Sequence, residues 1–326
     1  MKKIMKWGFI GCGSVTEVKS GPAYHQQTEG FEVVAVMRRD LDKAKDYAAR
    51  HNISAYYNDA DALINDENVE AVYIATPPDS HKEYALKIAE AGKICCIEKP
   101  LTPSYKDSLE IQNVFESKNL PLFVAYYRRS LPRFLKVKSW IDNGTIGEIR
   151  HINWSFCKPP NAMDLAKTYN WRTDSKIAPG GYFDDLASHG LDLFAFLLGD
   201  FEDAQGICKN QQNLYDAHDA ITGSWVHKHK ITGSGSWNFG SHNHMDDVTI
   251  IGSKGQIRFS VFLENPVYLK TENTEEELFI ENPKHIQLYH VNGMRDELLF
   301  NNSKHPSTGK TATHTSWVMD KILGKL

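Results

Sequence analysis

The stretch Lys6-Trp7-Gly8-Phe9-Ile10-Gly11-Cys12-Gly13-Ser14-Val15-Thr16-Glu17 decides how the rest of the chain is read. It begins as a short apolar run, Trp7 to Ile10, the pattern of a buried strand. It breaks at Gly11-Cys12-Gly13 and continues through Ser14 and Val15 in residues compatible with a helix. A strand, a glycine turn and a helix start place free backbone N–H groups at a helix N-terminus, a site for a phosphate-bearing ligand. The glycines allow the tight turn and let the backbone approach a pyrophosphate closely. One position departs from that fingerprint: Thr16 stands where the pattern has a third glycine or alanine. An ordinary strand-to-helix turn is the alternative reading of these residues alone.

Moving outward, residues 14–25 read as a helix or helix-like crossover, loosened by Gly21-Pro22. Further buried strands follow at Glu32–Val36, Ser54–Tyr57, Ala71–Ala75, Ile94–Ile97 and Leu120–Ala125. Helices fall between them at 41–51, at Ala60–Ile64, after Ser80 and after Pro103. Ser80-His81-Lys82-Glu83 has the spacing of a capping box. Strands alternating with helices predict a doubly wound parallel sheet covered on both faces. Ligands of such sheets bind beyond the carboxyl ends of the strands. Gly11, Arg38, Thr76 and Lys99 all stand at such ends. The second strand runs out into Met37-Arg38-Arg39-Asp40, the position that meets the adenosine ribose in dinucleotide folds. An acidic residue there bonds the 2′-OH of NAD, and an arginine pairs with the 2′-phosphate of NADP. Arg38 and Arg39, with Lys43 one helical turn on, predict NADP(H), with NAD(H) as the alternative.

The pattern changes near Tyr126-Tyr127-Arg128-Arg129, so residues 1–125 and 126–326 are expected to form separate domains. A helix is predicted over 132–142 and a strand over Glu148–Phe156. Residues 157–180 lack periodicity and carry Trp171-Arg172 and Gly180-Gly181; a loop of that length is usually functional. A helix follows at 182–198. Strands are then read at 219–227, 230–239, 246–251, 256–263 and 266–271, a mostly antiparallel sheet. Helices return at 286–299 and 311–323.

Composition narrows the function classes. At 326 residues the chain exceeds one small core, so two domains are the prior. Net charge of −4 argues against a nucleic-acid binder, which would show a basic excess. No apolar run approaches membrane-spanning length. Met1-Lys2-Lys3 leads straight toward the first strand, with no signal peptide pattern. Five cysteines, an odd count with Cys95 and Cys96 adjacent in an apolar run, suit reduced thiols and a cytoplasmic protein.

Two groups of residues could do chemistry. Lys99 sits just past a buried strand, between Glu98 and Pro100; the following proline biases its backbone to an extended conformation. Near a cofactor cation and partly desolvated, such a lysine has reason to lose basicity, which suits a proton donor or acceptor. A solvated strand-end lysine is the alternative. The helix at 182–198 is apolar over most of its circumference and therefore buried. Asp185, His189 and Asp192 nevertheless fall at i, i+4 and i+7 on one side. A polar stripe on a buried helix needs partners, from a network or a cavity. Asp185 can orient His189, which can exchange a proton near neutral pH. A metal is a weaker option: His242-Asn243-His244 would put two imidazoles on one strand face near Asp246 and Asp247, thin evidence for a ligand set, and none is expected.

Gly11-Cys12-Gly13, Thr76-Pro77-Pro78 with His81, Glu98-Lys99-Pro100, and Gly180-Gly181 followed by Asp185 and His189 occur in one order. In that order the chain resembles the glucose–fructose oxidoreductase/inositol dehydrogenase (Gfo/Idh/MocA) family, nearly end to end. The resemblance implies an α/β protein: a Rossmann domain, then an α/β domain with an open, largely antiparallel sheet that often serves as an oligomer interface. A homodimer or higher homo-oligomer is expected from it. It implies NAD(P)-dependent redox chemistry on sugars, polyols or related carbonyls. By match, Lys99 would be the catalytic lysine and Asp185 and His189 the polar pair at the substrate. Trp171-Arg172 resembles a segment that reaches the cofactor in anhydrofructose reductases of the family. Tyr127 lies where many members have asparagine. The rival readings are a dihydrodiol or dicarbonyl oxidoreductase on the same scaffold, and a dinucleotide-binding sensor without turnover.

Overall fold

The computed structural model describes residues 4–326; Met1-Lys2-Lys3 lie outside the described residues. The chain divides into two units. The first runs through Thr102 and adds Lys106–Ser130 and Pro283–Thr313; the second comprises Pro103–Tyr105, Leu131–Asn282 and His314–Leu326. The sequence suggested one boundary, after residue 125, whereas Pro283–Thr313 pack with the N-terminal unit. The helices in chain order are α1 (Ser14–Val18), α2 (Leu41–His51), α3 (Ala60–Ile64), α4 (His81–Glu90), α5 (Tyr105–Ser117), α6 (Pro132–Asp142), α7 (Ala162–Leu165), α8 (Tyr182–Leu198), α9 (Leu288–Arg295) and α10 (Gly309–Ile322).

In the first unit, β1 (Met5–Ile10), β2 (Phe31–Met37), β3 (Ala55–Tyr57), β4 (Ala71–Ile74), β5 (Ile94–Ile97) and β6 (Leu122–Val124) form one parallel sheet. Its order is β3-β2-β1-β4-β5-β6, the arrangement of a dinucleotide-binding fold. Apolar residues fill both faces, which is why the strands read as continuous rather than alternating runs. Ile10, Val72, Ile74, Ile97 and Val124 pack on one side. Trp7, Phe9, Tyr24, Phe31 and Tyr73 pack on the other, with Trp7 edge-on to Tyr24 at 5.0 Å.

Local geometry departs from the sequence reading at three places. The expected helix over 14–25 is α1 alone, followed by a π-helical turn at Ala23–Gln27. Gly21 breaks it: a Cβ there would lie 2.0 Å from the Thr16 carbonyl oxygen. The capping box does not form, because the Ser80 hydroxyl donates to Thr76 Oγ1 at 2.7 Å and to the Pro77 carbonyl at 2.9 Å. The helix over 286–299 is α9 plus a π turn at Asp296–Phe300.

The second unit is built on β7 (Ile149–Cys157), β8 (Phe201–Lys209), β9 (Ala220–His227), β10 (Ile231–Asn238), β11 (Met245–Gly252), β12 (Gly255–Phe259), β13 (Val267–Thr271) and β14 (Glu275–Leu278). The order is β14-β13-β12-β11-β7-β10-β9-β8. Neighbours are antiparallel except β10 and β7. The sequence reading missed both edge strands. In β8, Phe201 and Ala204 are the buried residues, three apart, so no alternation shows. β14 reads Glu275-Glu276-Glu277-Leu278, a charged edge that resists pairing with another chain. Helix α8 covers one face of this sheet, and Gly190 lets it meet Trp154: a Cβ would lie 2.3 Å from the indole ring. The other face carries short polar groups. There His151 Nδ1 lies 2.9 Å from Thr232 Oγ1, and Asn153 Nδ2 donates to Ser234 Oγ at 3.0 Å.

Candidate active site

The first unit contributes a turn and three strand ends. Gly11 has φ +94, a conformation that favours glycine, and a Cβ there would lie 2.9 Å from the Ala75 carbonyl oxygen. The N–H groups of Gly11 and Cys12 both donate to the Met37 carbonyl, at 2.9 and 3.4 Å. Those two donors are therefore spent on the sheet. Gly13, Ser14 and Val15 follow, where a helix leaves its first N–H groups without internal acceptors. A Cβ on Gly13 would meet nothing within 4 Å, so this is the open side of the turn. Thr16 is fully buried; its hydroxyl donates to the Gly13 carbonyl at 2.9 Å, and its own carbonyl accepts from Tyr47 Oη at 3.0 Å. Burial pushes the Cys12 thiol up to about 11, so it stays protonated.

At the end of β2, Arg38 Nη1 donates to the Cys12 carbonyl at 3.2 Å, which holds the guanidinium against the glycine turn. Arg39 is exposed. Lys43 is not a third unengaged cation: its ammonium lies 3.1 Å from Asp40 Oδ2. Asp40 also caps α2, accepting from the Lys43 N–H at 3.2 Å.

The ends of β4 and β5 are tied together by His81. It is fully buried, with Nε2 2.9 Å from the Thr76 carbonyl and Nδ1 3.1 Å from those of Pro100 and Leu101. His81, grouped with Thr76-Pro77-Pro78 in the family resemblance and so a candidate cofactor contact, has both ring nitrogens turned to protein carbonyls. Burial pulls its pKa below the ordinary imidazole range. Pro77 and Pro78 open the short 3-10 turn before α4. Glu98 is held by three donors. Its Oε1 accepts from Tyr73 Oη and from Gln287 Nε2, both at 2.6 Å. Its Oε2 accepts from the Lys99 N–H at 3.2 Å. The Lys99–Pro100 peptide bond is cis. Gln287, 1% exposed, was not singled out in the sequence: it belongs to no motif and lies 189 residues from Glu98. Tyr127 starts a 3-10 turn, with the Arg128 guanidinium 4.9 Å from its ring centroid.

The second unit contributes α8 and the loop before it. His189 is 5% exposed, its ring edge-on to Phe262 at 5.7 Å. Asp185 Oδ2 accepts from Arg172 Nε at 2.7 Å. Asp192 is buried and accepts from Thr315 Oγ1 at 3.1 Å. The stripe of three polar groups thus serves several partners. Arg172 also stacks on Trp171, 4.3 Å from the ring centroid. The loop predicted as structureless over 157–180 contains α7 and a 3-10 turn at Trp171–Thr173. Asn170 Oδ1 caps that turn through the Arg172 N–H at 3.2 Å. Asn170 Nδ2 donates to Tyr182 Oη at 3.0 Å, which in turn donates to Asp164 Oδ1 at 2.8 Å. Asp184, next to Asp185, carries a carboxyl pushed up to about 6 by burial, and accepts from the Gly180 N–H at 2.9 Å.

His242-Asn243-His244 lies in the turn between β10 and β11, not on a strand face. Asp246 accepts from Trp154 Nε1 at 3.0 Å and from the Phe262 N–H at 2.6 Å, and Asp247 pairs with Arg258, so both carboxylates have structural partners. Among the described residues, no group of three or more His, Cys, Asp and Glu side chains is placed to hold a metal ion. No helix among them is long and apolar enough to cross a membrane.

The model of the oxidoreductase family with an NAD-binding Rossmann fold matches residues 5–126, and that of the GFO/IDH/MocA C-terminal domain matches 134–258. Oxidoreductase P35 of Formosa agariphila is 37% identical, covering 99% of this chain and 100% of the relative. A trans-1,2-dihydrobenzene-1,2-diol dehydrogenase of Macaca fuscata fuscata is 24% identical, covering 82% of this chain and 77% of the relative. A levoglucosan dehydrogenase solved with NADH and levoglucosan superposes with a TM-score of 0.86 at 20% identity, over 99% of this chain and 97% of that one. Together with the paired domains and the glycine turn, these matches make the chain a member of the GFO/IDH/MocA family of nicotinamide dinucleotide-dependent oxidoreductases.

Proposed function

We propose that this protein transfers a hydride between NADP(H) and a sugar, polyol or related carbonyl compound. The observation that carries the reading is the Arg38 guanidinium, fixed 3.2 Å from the Cys12 carbonyl at the end of β2. That is the position where a 2′-phosphate would be recognised, and a guanidinium offers it two donors. The turn fits the rest of the dinucleotide: Gly11 keeps the backbone low, and Gly13 leaves the first N–H groups of α1 open. When bound, the dinucleotide supplies or accepts the hydride. The ammonium of Lys99 gives a proton to the carbonyl oxygen in reduction and takes it back in oxidation. Glu98 braces the Lys99 backbone through its carboxylate. His189 serves the same proton exchange, and Asp185, paired with Arg172, orients it.

The levoglucosan dehydrogenase likeness supports a sugar-like substrate. The dihydrodiol dehydrogenase relative favours a second reading, oxidation of a trans-diol on the same scaffold. Turnover with NADPH and NADH across sugars, dicarbonyls and trans-dihydrodiols separates them. Sugar turnover with NADPH preferred supports the proposal; binding of dinucleotide without hydride transfer to any member would make the protein a sensor.

Two further assignments go with this function. All five cysteines are free thiols, in keeping with a cytoplasmic location. The polar face of the second sheet, set with His151, Asn153, Thr232 and Ser234, is assigned to a homodimer. Sedimentation showing a monomer at micromolar concentration would count against it.

A further inference from the structure

Beside the Trp171–Thr173 turn the second unit holds a cavity of about 330 Å³. That is within the size range of small-ligand pockets, roughly 300–1,000 Å³. Nothing in the chemistry assigned above uses it. Its walls include Asp164, Tyr169, Asn170, Lys176, Tyr215 and Asp216.

The cavity is connected to the polar face of α8. Tyr182, Asp185 and His189 stand at i, i+3 and i+7, on one side of that helix. The rise of 1.5 Å per residue puts Tyr182 about 4.5 Å from Asp185 along the axis, and about 10 Å from His189. The Tyr182 hydroxyl bonds Asp164 and Asn170, two of the cavity walls. Asn170 in turn caps the turn that carries Arg172, the partner of Asp185. The cavity therefore borders the Tyr182 hydroxyl, and Tyr182 stands about one helical turn from Asp185 on the same face.

The lining selects the occupant. Asp164 is buried and bonded to Tyr182 and Asn161; the exposed Asp216 carboxylate accepts from Ser175 and keeps lone pairs for a ligand hydroxyl, and the Lys176 ammonium donates. Charges of both signs disfavour a strongly anionic or cationic ligand. The Tyr215 hydroxyl is buried and makes no hydrogen bond within the protein, a donor and acceptor left for something else. Tyr169, 71% exposed, offers the flat face of an aromatic ring. A ring that is apolar on its faces and hydroxylated at its edges meets all of these groups.

We propose that this cavity is a second sugar subsite. It rests on the redox function proposed above and specifies its substrate: a disaccharide or glycoside whose reacting ring lies beside Asp185 and His189 and whose next ring fills the cavity. Binding energy from the second ring would then act on turnover, not on affinity alone.

The test uses the full-length protein and matched pairs: levoglucosan with cellobiosan, D-glucose with cellobiose, D-galactose with lactose, D-xylose with xylobiose. kcat/KM is measured with NADP(H) for the wild type, Tyr169→Ala and Tyr215→Phe. The expected result is a disaccharide-to-monosaccharide ratio of tenfold or more in at least one pair, falling below twofold in Tyr169→Ala. Monosaccharide turnover with a ratio near one in every pair, or a ratio that survives both substitutions, would overturn the subsite. Absence of turnover with every sugar would count against the redox function instead. Calorimetry on the NADP-loaded protein then decides the subsite by itself: disaccharide binding that weakens in Tyr169→Ala sustains it, and no disaccharide binding overturns it.

Discussion

The two units place their candidate functional groups in different ways. In the first, Gly11, Arg38, Thr76 and Lys99 each stand where a strand ends. In the second, Asp185 and His189 project from a mostly apolar helix, and their neighbours come from the irregular segment before it. A strand end is set by a few adjacent residues. A helix face in contact with a loop is set by packing across the whole unit. Chemistry at strand ends is therefore written locally in the sequence, and chemistry on a buried helix is written only in part.

Four experiments break or sharpen that contrast. The largest effect belongs to Lys99. Lys99→Met is expected to cut turnover by about two to four orders of magnitude, the scale for losing a general acid. The Kd for NADPH should change far less, because the proposal assigns its phosphates to the Gly11–Ser14 turn and to Arg38. Near-normal turnover would reduce Lys99 to a solvated strand-end lysine.

Next comes the end of β2. The double variant Arg38→Ala/Arg39→Ala should weaken NADPH binding by about 2–4 kcal/mol, the sum of two charge-assisted contacts. NADH binding should hardly move. Equal Kd values for NADPH and NADH in the wild type would sink the cofactor assignment.

The units should also differ in acid. In the first, burial pulls His25 and His305 down to about 4. The unfolded chain takes up these protons near 6.5, the fold only near 4, so their contribution is present above 6.5 and is lost as pH falls toward 4. The buried His305 carries up to about 3 kcal/mol, and the partly exposed His25 less. In the second unit His227, also at about 4, behaves the same way. Asp184 opposes it: at about 6 it is raised, so its protonation stabilises the fold as pH falls from 6 toward 3.8. Hydrogen exchange at pH 7 and pH 5 should show protection falling more in the first unit. Equal loss in both would refute this assignment.

The smallest effects compare two glycines. Gly190→Ala forces a methyl group against the Trp154 ring and should cost about 1–3 kcal/mol of stability, read as a lower Tm. Gly13→Ala meets open space, so Tm should move little while NADPH affinity falls. A large loss of Tm in Gly13→Ala would mean that the turn is structural and not a ligand cradle.

These contrasts show what the sequence made legible. The strand–turn–helix signal, the alternation of strands and helices and the buried helix with its polar stripe were all readable, because each is a short pattern with one physical cause. The partners of those groups were not. Gln287 reaches Glu98 across 189 residues of chain. The Arg172–Asp185 pair joins a loop to a helix, and the loop showed no periodicity to place it. Lys43 pairs with Asp40, a choice between two nearby cation–anion arrangements that spacing alone leaves open. The Ser80 hydroxyl bonds Thr76 Oγ1 and does not cap the helix, a choice of partner that the capping-box spacing leaves open. Edge strands β8 and β14 lacked alternation, since little of either is buried.

The central claim of the proposed function is that Lys99 and His189 serve one reaction. Turnover of a verified sugar with NADPH, measured for the wild type, Lys99→Met, His189→Ala and the double variant, tests it most directly. Groups that act as a unit are not additive, so the double variant should lose less than the product of the single losses. Full multiplicativity, or a double variant no slower than the wild type, would contradict the claim.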